Sequence, residues 1–393
     1  MIGITRRLRP IDFTFLSLTL ALVSFGFVML YSASAILADQ NFGDPLFYLK
    51  RQLIWTIFGF AALAWVSRVD YHRLREWVWP LLVLTLCALA GVLLSAPIAG
   101  ARRWIRFGSF GLQPAEFAKL TIIVFLADYL DRKRSKVVSL TQGLIVPGLV
   151  VGVNLMLIGL EPDLGTPILI FMSGILMLYI GGTRFKHIAT TLCLAVPVVL
   201  FEILRYDYRR ERLLSFLTPF QSAQGTGYQL SQALMAVGSG GWLGKGLGDS
   251  QLKLMYLPAP HTDFIFPVIC EEVGLLGALA LLGLFLWFLL RGIRIARNAP
   301  DLFGTILAAG LTFLICLQAF FNISMSIGLL PTKGVPLPFF SYGGSSMLTV
   351  LTAVGILLNI SRYSTERQRG RSLSAPRGGR TRPAGSAGLV RAR

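Results

Sequence analysis

The sequence is short of charge and of cysteine, and each shortage excludes a class of protein. Only 14% of its 393 residues are charged, whereas soluble domains carry roughly a quarter, so a soluble protein is excluded. The four cysteines all fall inside apolar runs and lack metal-ligand spacing. We therefore expect small core residues there, and neither disulfides nor a cysteine metal site.

A nucleotide-binding motif is also missing. The glycine-rich stretch GSGGWLGKGLGDS at 238–250 matches neither G-x-G-x-x-G nor G-x-x-x-x-G-K-[ST] and follows no strand, so a nucleotide site is not expected. Its glycines are expected to let backbone pack closely or move. The preceding stretch GYQLSQALMAV has helical spacing and could lie amphipathically on the membrane surface.

Long apolar runs dominate what the sequence does contain. Hydrophobic residues make up 54% of the chain, and the runs approach the roughly 20 residues that cross a bilayer core. We predict an all-α polytopic membrane protein with about ten transmembrane helices and one large extracytoplasmic loop at 205–262. The predicted spans are 12–33, 48–66, 77–97, 114–130, 139–160, 164–182, 188–204, 264–290, 303–325 and 342–361.

The distribution of Lys and Arg predicts the orientation. These residues collect in the N-terminal segment 1–11, in the connection after each even-numbered span and in the tail 362–393. Cytoplasmic segments carry such an excess, so both termini of the membrane domain 12–361 are placed in the cytoplasm. The net charge of +18 is attributed to this bias, and no nucleic-acid partner is expected. The tail is rich in Gly, Ser, Pro and Arg and is expected to be disordered near anionic headgroups.

Four polar segments are predicted to meet on the outer face. They are GARRWIRFGSFGLQPAEFAKL at 100–120, EPDLGTP at 161–167, HTDF at 261–264 and LLPTKGVPLPFFSYGGSS at 329–346. Ionisable residues close to hydrocarbon are costly and are functional candidates by default. Their convergence from four separate loops predicts one extracytoplasmic site at membrane depth.

Each ionisable residue in these segments also has a structural interpretation. Glu116 and Lys119 stand three positions apart on a helix start and could simply pair with each other. Asp163 could cap the following helix, although broken backbone at this depth needs protein or a water-filled cavity around it. Lys333 could anchor at the membrane surface or bind an anion.

The remaining candidates lie in the first and third segments. Arginines in a short outer loop oppose the charge bias, which favours recognition of phosphate or carboxylate; Arg106 is one of these. His261 is expected to be a structural hydrogen-bonding residue rather than a metal ligand, because the other two histidines are placed inside. The further candidate substrate contacts are Arg102, Arg103, Trp104, His261 and Thr262.

Together with GTGYQLSQALMAVGSGGWLGKGLG, these segments resemble the signature of the SEDS family (shape, elongation, division and sporulation) over nearly all of the chain except its tail. Thr-Lys-Gly in LLPTKGVPLP resembles the division branch more than the elongation branch. The resemblance implies a peptidoglycan glycosyltransferase of the bacterial cytoplasmic (inner) membrane that polymerises lipid II on the outer face, with the division septum as the expected place. It also implies a class B penicillin-binding protein as transpeptidase partner, together with other division proteins.

The resemblance carries residue roles with it. The family's catalytic aspartate falls on Asp263, its Glu/Lys pair on Glu116 and Lys119, its turn aspartate on Asp163 and its last-loop lysine on Lys333. Asp263 would be the general base for the attacking sugar hydroxyl. Cations from Lys119, Lys333 or the arginines would receive the leaving diphosphate.

Two other points stay open at this stage. A divalent Mg²⁺ or Mn²⁺ shared by Asp263 and the diphosphate is also consistent with oxygen ligands, and no organic cofactor is expected. Alternative functions are a lipid II flippase, because helix breakers occur at matching depth in the two halves, an elongation-type polymerase, and a scaffold for the transpeptidase.

Overall fold

The computed structural model describes residues 10–95, 102–107, 110–161, 163–220, 227–250 and 261–363. Within these residues, each of the ten predicted spans corresponds to a long helix, so the prediction of a helical polytopic fold is confirmed. The helices are α1 (Phe13–Phe42), α2 (Phe47–Val66), α3 (Leu74–Leu93), α4 (Pro114–Arg132), α5 (Val146–Leu160), α6 (Gly165–Ile180), α7 (Phe185–Leu204), α10 (Ile265–Arg297), α11 (Leu302–Ser326) and α12 (Gly344–Tyr363). The predictions for residues 1–9 and for the tail from 364 lie outside the described residues.

Seven of the described helical segments are long and apolar enough to cross a membrane, and the chain is a multi-pass membrane protein. The other three long helices miss these criteria for visible reasons. Helix α6 has only 16 residues, α2 begins with Lys50 and Arg51, and α4 contains several charged side chains. The count of ten spans stays a prediction.

Two short helices and a hairpin occupy the connections. Helices α8 (Asp207–Leu217) and α9 (Tyr228–Ser239) lie in the predicted large loop. Strands β1 (Ile105–Phe107) and β2 (Phe110–Leu112) pair antiparallel between α3 and α4. The prediction of an all-α fold missed this hairpin, because strands of three residues leave almost no periodic signal in the sequence.

Two further expectations need correction. Helix α1 runs nine residues beyond its predicted end at 33, because no breaker occurs before Gly43, which closes it with a left-handed φ of 65°. Helix α9 uses its apolar face for packing within the protein, not for contact with a membrane surface. Its apolar face is buried against α10 and α11, with Leu230, Ala233 and Ala236 inside the protein.

Helices α11 and α12 form the centre of the bundle. Most of α12 is buried among α1, α2, α4, α10 and α11, whereas α7 buries only Ile188 and contacts α6 and α8. Small residues allow the closest approach: a Cβ at Gly59 of α2 would lie 2.5 Å from the Leu351 side chain, and one at Gly355 of α12 would lie 2.9 Å from the Leu63 backbone. Such contacts are typical of helix packing in membranes.

Gly26 allows the segment before α12 to pass against α1, and it provides a test of this packing. A Cβ there would lie 2.2 Å from the Phe339 carbonyl oxygen, and Phe339 already has a positive φ of 70°. We expect Gly26→Ala to lower the free energy of unfolding by about 1–3 kcal/mol, measured by thermal unfolding in detergent. Gly152→Ala is the matched control, because its Cβ would meet nothing within 4 Å. Equal melting temperatures for the two variants would contradict this packing.

Candidate active site

Asp263 lies in the turn that leads into α10, and the backbone of this turn is fixed from two sides. The carbonyl of Asp263 accepts a hydrogen bond from the Asn322 side chain of α11 at 2.8 Å. Next to it, the carbonyl of Thr262 accepts from the Ser341 hydroxyl, and the carbonyl of His261 accepts from the Tyr342 amide at 2.9 Å. The main chain is therefore held in place around Asp263, which is half-buried.

The carboxylate of Asp263 remains available for chemistry. No described residue donates a hydrogen bond to either of its oxygens. Burial raises its pKa to about 6, against the opposing charges of Arg103 and Arg212 and with a smaller contribution from Asp163. A base is most effective when its pKa approaches the working pH. The surroundings of Asp263 raise its pKa towards that value.

Asp163 and Lys333 face the same region from α6 and from the loop before α12. A Cβ at Gly165 would lie 3.5 Å from Asp163 Oδ1 and 3.8 Å from Lys333 Cβ, while one at Gly334 would lie 3.3 Å from Asp263 Oδ2. The loop therefore passes close to both aspartates. Burial lowers the pKa of Lys333 to about 8, helped by the charge of Arg209 and opposed by that of Asp163.

The hydrogen bonds of Asp163 show that it caps the helix that follows, α6. Its Oδ1 accepts from the amides of Gly165 at 2.9 Å and Thr166 at 3.3 Å, and its Oδ2 accepts from the Thr166 hydroxyl at 2.9 Å. These bonds hold the first turn of α6. The same carboxylate acts electrostatically on Asp263 and Lys333, so the cap also belongs to the charge cluster.

The residues predicted in the loop before α4 separate in the structure. Arg103 donates from Nε to the Glu161 carbonyl at 2.8 Å, and its charge reaches Asp263. Arg102 instead donates to the Leu93 carbonyl at 2.9 Å. Trp104 packs on the hairpin, where a Cβ at Gly111 would lie 3.2 Å from its ring. Arg103 is thus the member of this group that joins the site.

His261 packs as an aromatic residue. Its ring lies 4.2 Å from the Tyr48 ring and 5.8 Å from the Tyr342 ring, centroid to centroid. Burial lowers its pKa to about 4, so the ring is neutral at neutral pH. The expected hydrogen-bonding role is not seen at Nδ1, which is buried and meets no partner among the described residues.

Comparison with known proteins identifies the family. The pattern of the cell cycle protein family of FtsW, RodA and SpoVE matches residues 13–366. The chain belongs to this family. It is 42% identical to the probable peptidoglycan glycosyltransferase FtsW of Geobacter metallireducens over 89% of this chain and 94% of the relative. It is 41% identical to stage V sporulation protein E of Bacillus subtilis over 92% of this chain and 99% of the relative.

Solved structures of the family share the fold. One chain, from a study of how a peptidoglycan synthase complex coordinates polymerization and crosslinking, superposes with a TM-score of 0.77 at 28% identity over 91% of this chain and 99% of that chain. The rod shape determining protein RodA of Thermus thermophilus superposes with a TM-score of 0.67 at 27% identity, over 91% of this chain and 98% of that chain. The FtsW relative is therefore considerably more similar in sequence than this RodA, as the Thr-Lys-Gly motif predicts.

Two features of this SEDS site were missed by the sequence reasoning. Arg209 and Arg212 stand three positions apart on α8, and their charges act on Lys333, with Arg212 also acting on Asp263. The signal was a pair of arginines on one face of a short helix in a loop where charge bias carries little weight. Glu161 was also overlooked beside Asp163.

Glu161 is fully buried and differs from the two aspartates. Both of its carboxylate oxygens lack a hydrogen-bond partner among the described residues. Burial raises its pKa to about 8, with the Asp163 charge acting in the same direction and that of Arg103 opposing it. Glu161 is therefore largely protonated at neutral pH.

Glu116 and Lys119 form a buried pair within the bundle. Lys119 Nζ donates to Glu116 Oε1 and to Gln318 Oε1, both at 2.8 Å, and the Thr349 hydroxyl lies 3.3 Å from Glu116 Oε2. Gln318 in turn donates to the carbonyl of Pro336 at 2.9 Å. The pair supports the loop that carries Lys333, and the Lys119 ammonium is occupied by these bonds.

This buried pair leads to a stability prediction. Lys119→Met leaves the Glu116 carboxylate buried without its cation, so we expect the free energy of unfolding to fall by about 3–5 kcal/mol. The double variant Glu116→Gln/Lys119→Met removes both charges and should be more stable than the single variant. Thermal unfolding in detergent measures both. A double variant no more stable than Lys119→Met would exclude charge pairing as the reason for the pair.

Proposed function

We propose that this chain polymerises lipid II into glycan strands at the outer face of the cytoplasmic membrane, with Asp263 as general base. The family membership and the glycosyltransferase relatives support the activity. The observation that carries the residue assignment is the Asp263 carboxylate itself. It is half-buried, free of hydrogen bonds from described residues and subject to the charges of Arg103 and Arg212, and the loop of Lys333 passes close to it at Gly334.

The reaction needs one proton acceptor and one place for developing negative charge. The 4-hydroxyl of an acceptor GlcNAc attacks the anomeric carbon of a lipid-linked MurNAc, and the new C–O bond forms as the bond to the diphosphate oxygen breaks. Asp263 takes the hydroxyl proton. Undecaprenyl diphosphate leaves with the electron pair, and a single displacement of this kind needs no covalent enzyme intermediate.

The cations around Asp263 suit the leaving diphosphate. Positive groups fixed in advance stabilise charge that develops in the transition state. Lys333 and the two arginines, Arg103 and Arg212, come from three different elements, so they can surround a group that enters between them. They replace Lys119 in this role, since that ammonium is bound inside the bundle.

A divalent cation remains compatible with this site. Among the described residues, no group of three or more His, Cys, Asp and Glu side chains could hold a metal. Asp263 could supply one oxygen ligand, with diphosphate oxygens and waters completing the shell that Mg²⁺ prefers. Such an ion would add positive charge at the leaving group.

A class B transpeptidase is the partner that fits this function, and the relative from a peptidoglycan synthase complex supports it. Glycan strands made by the chain need crosslinking, which the partner supplies. The relatives named FtsW favour a place at the division septum.

The first prediction concerns Asp263. We expect Asp263→Ala to lower polymerisation by at least about 10²-fold, the lower end of what a general base contributes. Labelled lipid II would be incubated with the chain and its cognate transpeptidase, whose crosslinking site is blocked. Asp207→Ala is the matched control, because Asp207 is an exposed aspartate on α8.

Two outcomes would contradict the proposal. Equal product from a folded Asp263→Ala variant would remove Asp263 as the base. Transport of lipid II across vesicles by a wild-type chain that makes no polymer would favour a flippase.

The second prediction is a bell-shaped dependence of rate on pH. Asp263 must be deprotonated to act, so the rate rises as the pH increases through about 6. Lys333 must keep its proton to stabilise the diphosphate, so the rate falls as the pH increases through about 8. Initial rates at saturating lipid II would show both limbs.

Lys333→Arg separates the two limbs. A guanidinium stays charged throughout this range, so the alkaline limb should move upward while the acidic limb stays in place. An alkaline limb that does not move would assign it to another group, such as Glu161.

A further inference from the structure

Helix α10 is interrupted at Gly274, and a glycine-rich loop fills the interruption. Gly274 has φ 72° and ψ −171°, a conformation that only glycine adopts readily. A Cβ there would lie 2.3 Å from the Gly244 amide nitrogen. Reciprocally, a Cβ at Gly244 would lie 2.2 Å from the Glu272 carbonyl oxygen, and one at Gly240 would lie 2.0 Å from the Cys270 carbonyl oxygen. The close-packing interpretation of these glycines is confirmed.

The loop also supplies the hydrogen bonds that the break leaves open. Free helix ends expose amides and carbonyls that need partners from outside the helix. Four backbone hydrogen bonds cross between loop and helix. Before the break, the Lys245 amide donates to the Glu271 carbonyl at 2.9 Å and the Gly246 amide to the Glu272 carbonyl at 3.1 Å. After it, the Leu275 amide donates to the Gly241 carbonyl at 2.9 Å and the Leu276 amide to the Trp242 carbonyl at 3.2 Å. The loop thus replaces one turn of helical bonding on both sides of Gly274.

One buried carboxylate ties the loop together. Glu271 is 2% exposed and accepts from Lys245 Nζ at 2.7 Å, from the Ser250 hydroxyl at 2.6 Å and from the Ser239 hydroxyl at 3.3 Å. These donors come from the end of α9, the middle of the loop and its last described residue. We call these four residues the Glu271 clamp. Glu272 points the other way and accepts from the Ser32 hydroxyl of α1 at 2.6 and 2.8 Å.

The clamp fixes the far end of the half-helix that carries Asp263. This half-helix, Ile265–Val273, starts two residues after Asp263 and ends at the break. Its near end is held by Asn322 through the Asp263 carbonyl. The clamp adds side-chain bonds to the four backbone bonds and to the Ser32–Glu272 contact that also hold this end beside the glycine joint. Lys333 belongs to a different element, so a small pivot at Gly274 would change its distance from Asp263.

We propose that Glu271 and Lys245 are positioning residues for glycosyl transfer, holding the half-helix so that Asp263 keeps its place among the site cations. The inference rests on the proposed role of Asp263. The two residues pair with each other at the break in α10. They act through the loop, the break and the half-helix.

The test separates placement from binding. In Glu271→Gln and in Lys245→Met, we expect kcat to fall by roughly 10- to 100-fold, because a misplacement of about 1 Å can cost on the order of 10²-fold. The KM for lipid II should stay within about twofold, since the binding cations are untouched. The acidic limb of the pH–rate profile should also shift, because the surroundings of Asp263 change. Loss of folded protein alone would lower the apparent kcat at unchanged KM, so kcat is expressed per amount of folded protein, and it would leave the acidic limb in place.

Two comparisons sharpen the result. Lys50→Met breaks another lysine–carboxylate pair, an exposed one with Asp44, and it should leave kcat unchanged. The double variant Glu271→Gln/Lys245→Met should lose no more than the worse single variant, because the two residues act as one unit. If Glu271→Gln does not yield folded protein, Ser250→Ala removes one bond of the clamp and should give a smaller loss of kcat.

Each outcome separates this inference from the proposed base. Normal kcat in folded clamp variants, alongside inactive Asp263→Asn, overturns the positioning role and leaves the base in place. A fully active Asp263→Asn variant overturns both. Loss of kcat that matches the loss of folded protein, with an unmoved acidic limb, reduces the clamp to a stabilising contact and rejects the proposal.

Discussion

Polar groups inside the bundle have to find partners within the protein, since hydrocarbon offers none, and the site is built from these partnerships. Asn322 and Gln318 lie one turn apart on α11. Asn322 donates to the carbonyls of Asp263 and Val335, both at 2.8 Å, and Gln318 joins Lys119 to the carbonyl of Pro336. The same amides that satisfy broken backbone therefore hold the main chain at Asp263 and the proline-rich loop of Lys333.

The three acids of the site are differentiated by their surroundings. Both carboxylate oxygens of Asp163 accept hydrogen bonds from the first turn of α6. Glu161 is buried deeply enough to keep its proton. Asp263 has a fixed backbone and oxygens free of hydrogen bonds from described residues. A sequence shows three carboxyl groups of similar chemistry, and only the contacts distinguish them.

The sequence predicts the helices and the convergence of the outer loops, because apolar length and charge bias are local signals. Of the site residues it proposes, Asp263, Asp163, Lys333 and Arg103 lie in one region of the structure, whereas Arg102 and Lys119 are bound elsewhere. It does not reveal the arginines of α8, whose role depends on how that helix folds back over the site. Nor does it reveal the break at Gly274, because a glycine inside an apolar run reads as part of a continuous span.

The length of α10 shows why the break is compatible with a membrane helix. Its 33 residues would extend about 50 Å, well beyond the roughly 30 Å of a hydrocarbon core. The part after the break, Leu275–Arg297, is about 35 Å long and crosses the core by itself. Trp242, largely exposed beside the break, is the residue type that gathers at the membrane interface. The first half of α10 is therefore not needed for crossing, and its position can be set by the loop and the clamp to suit Asp263.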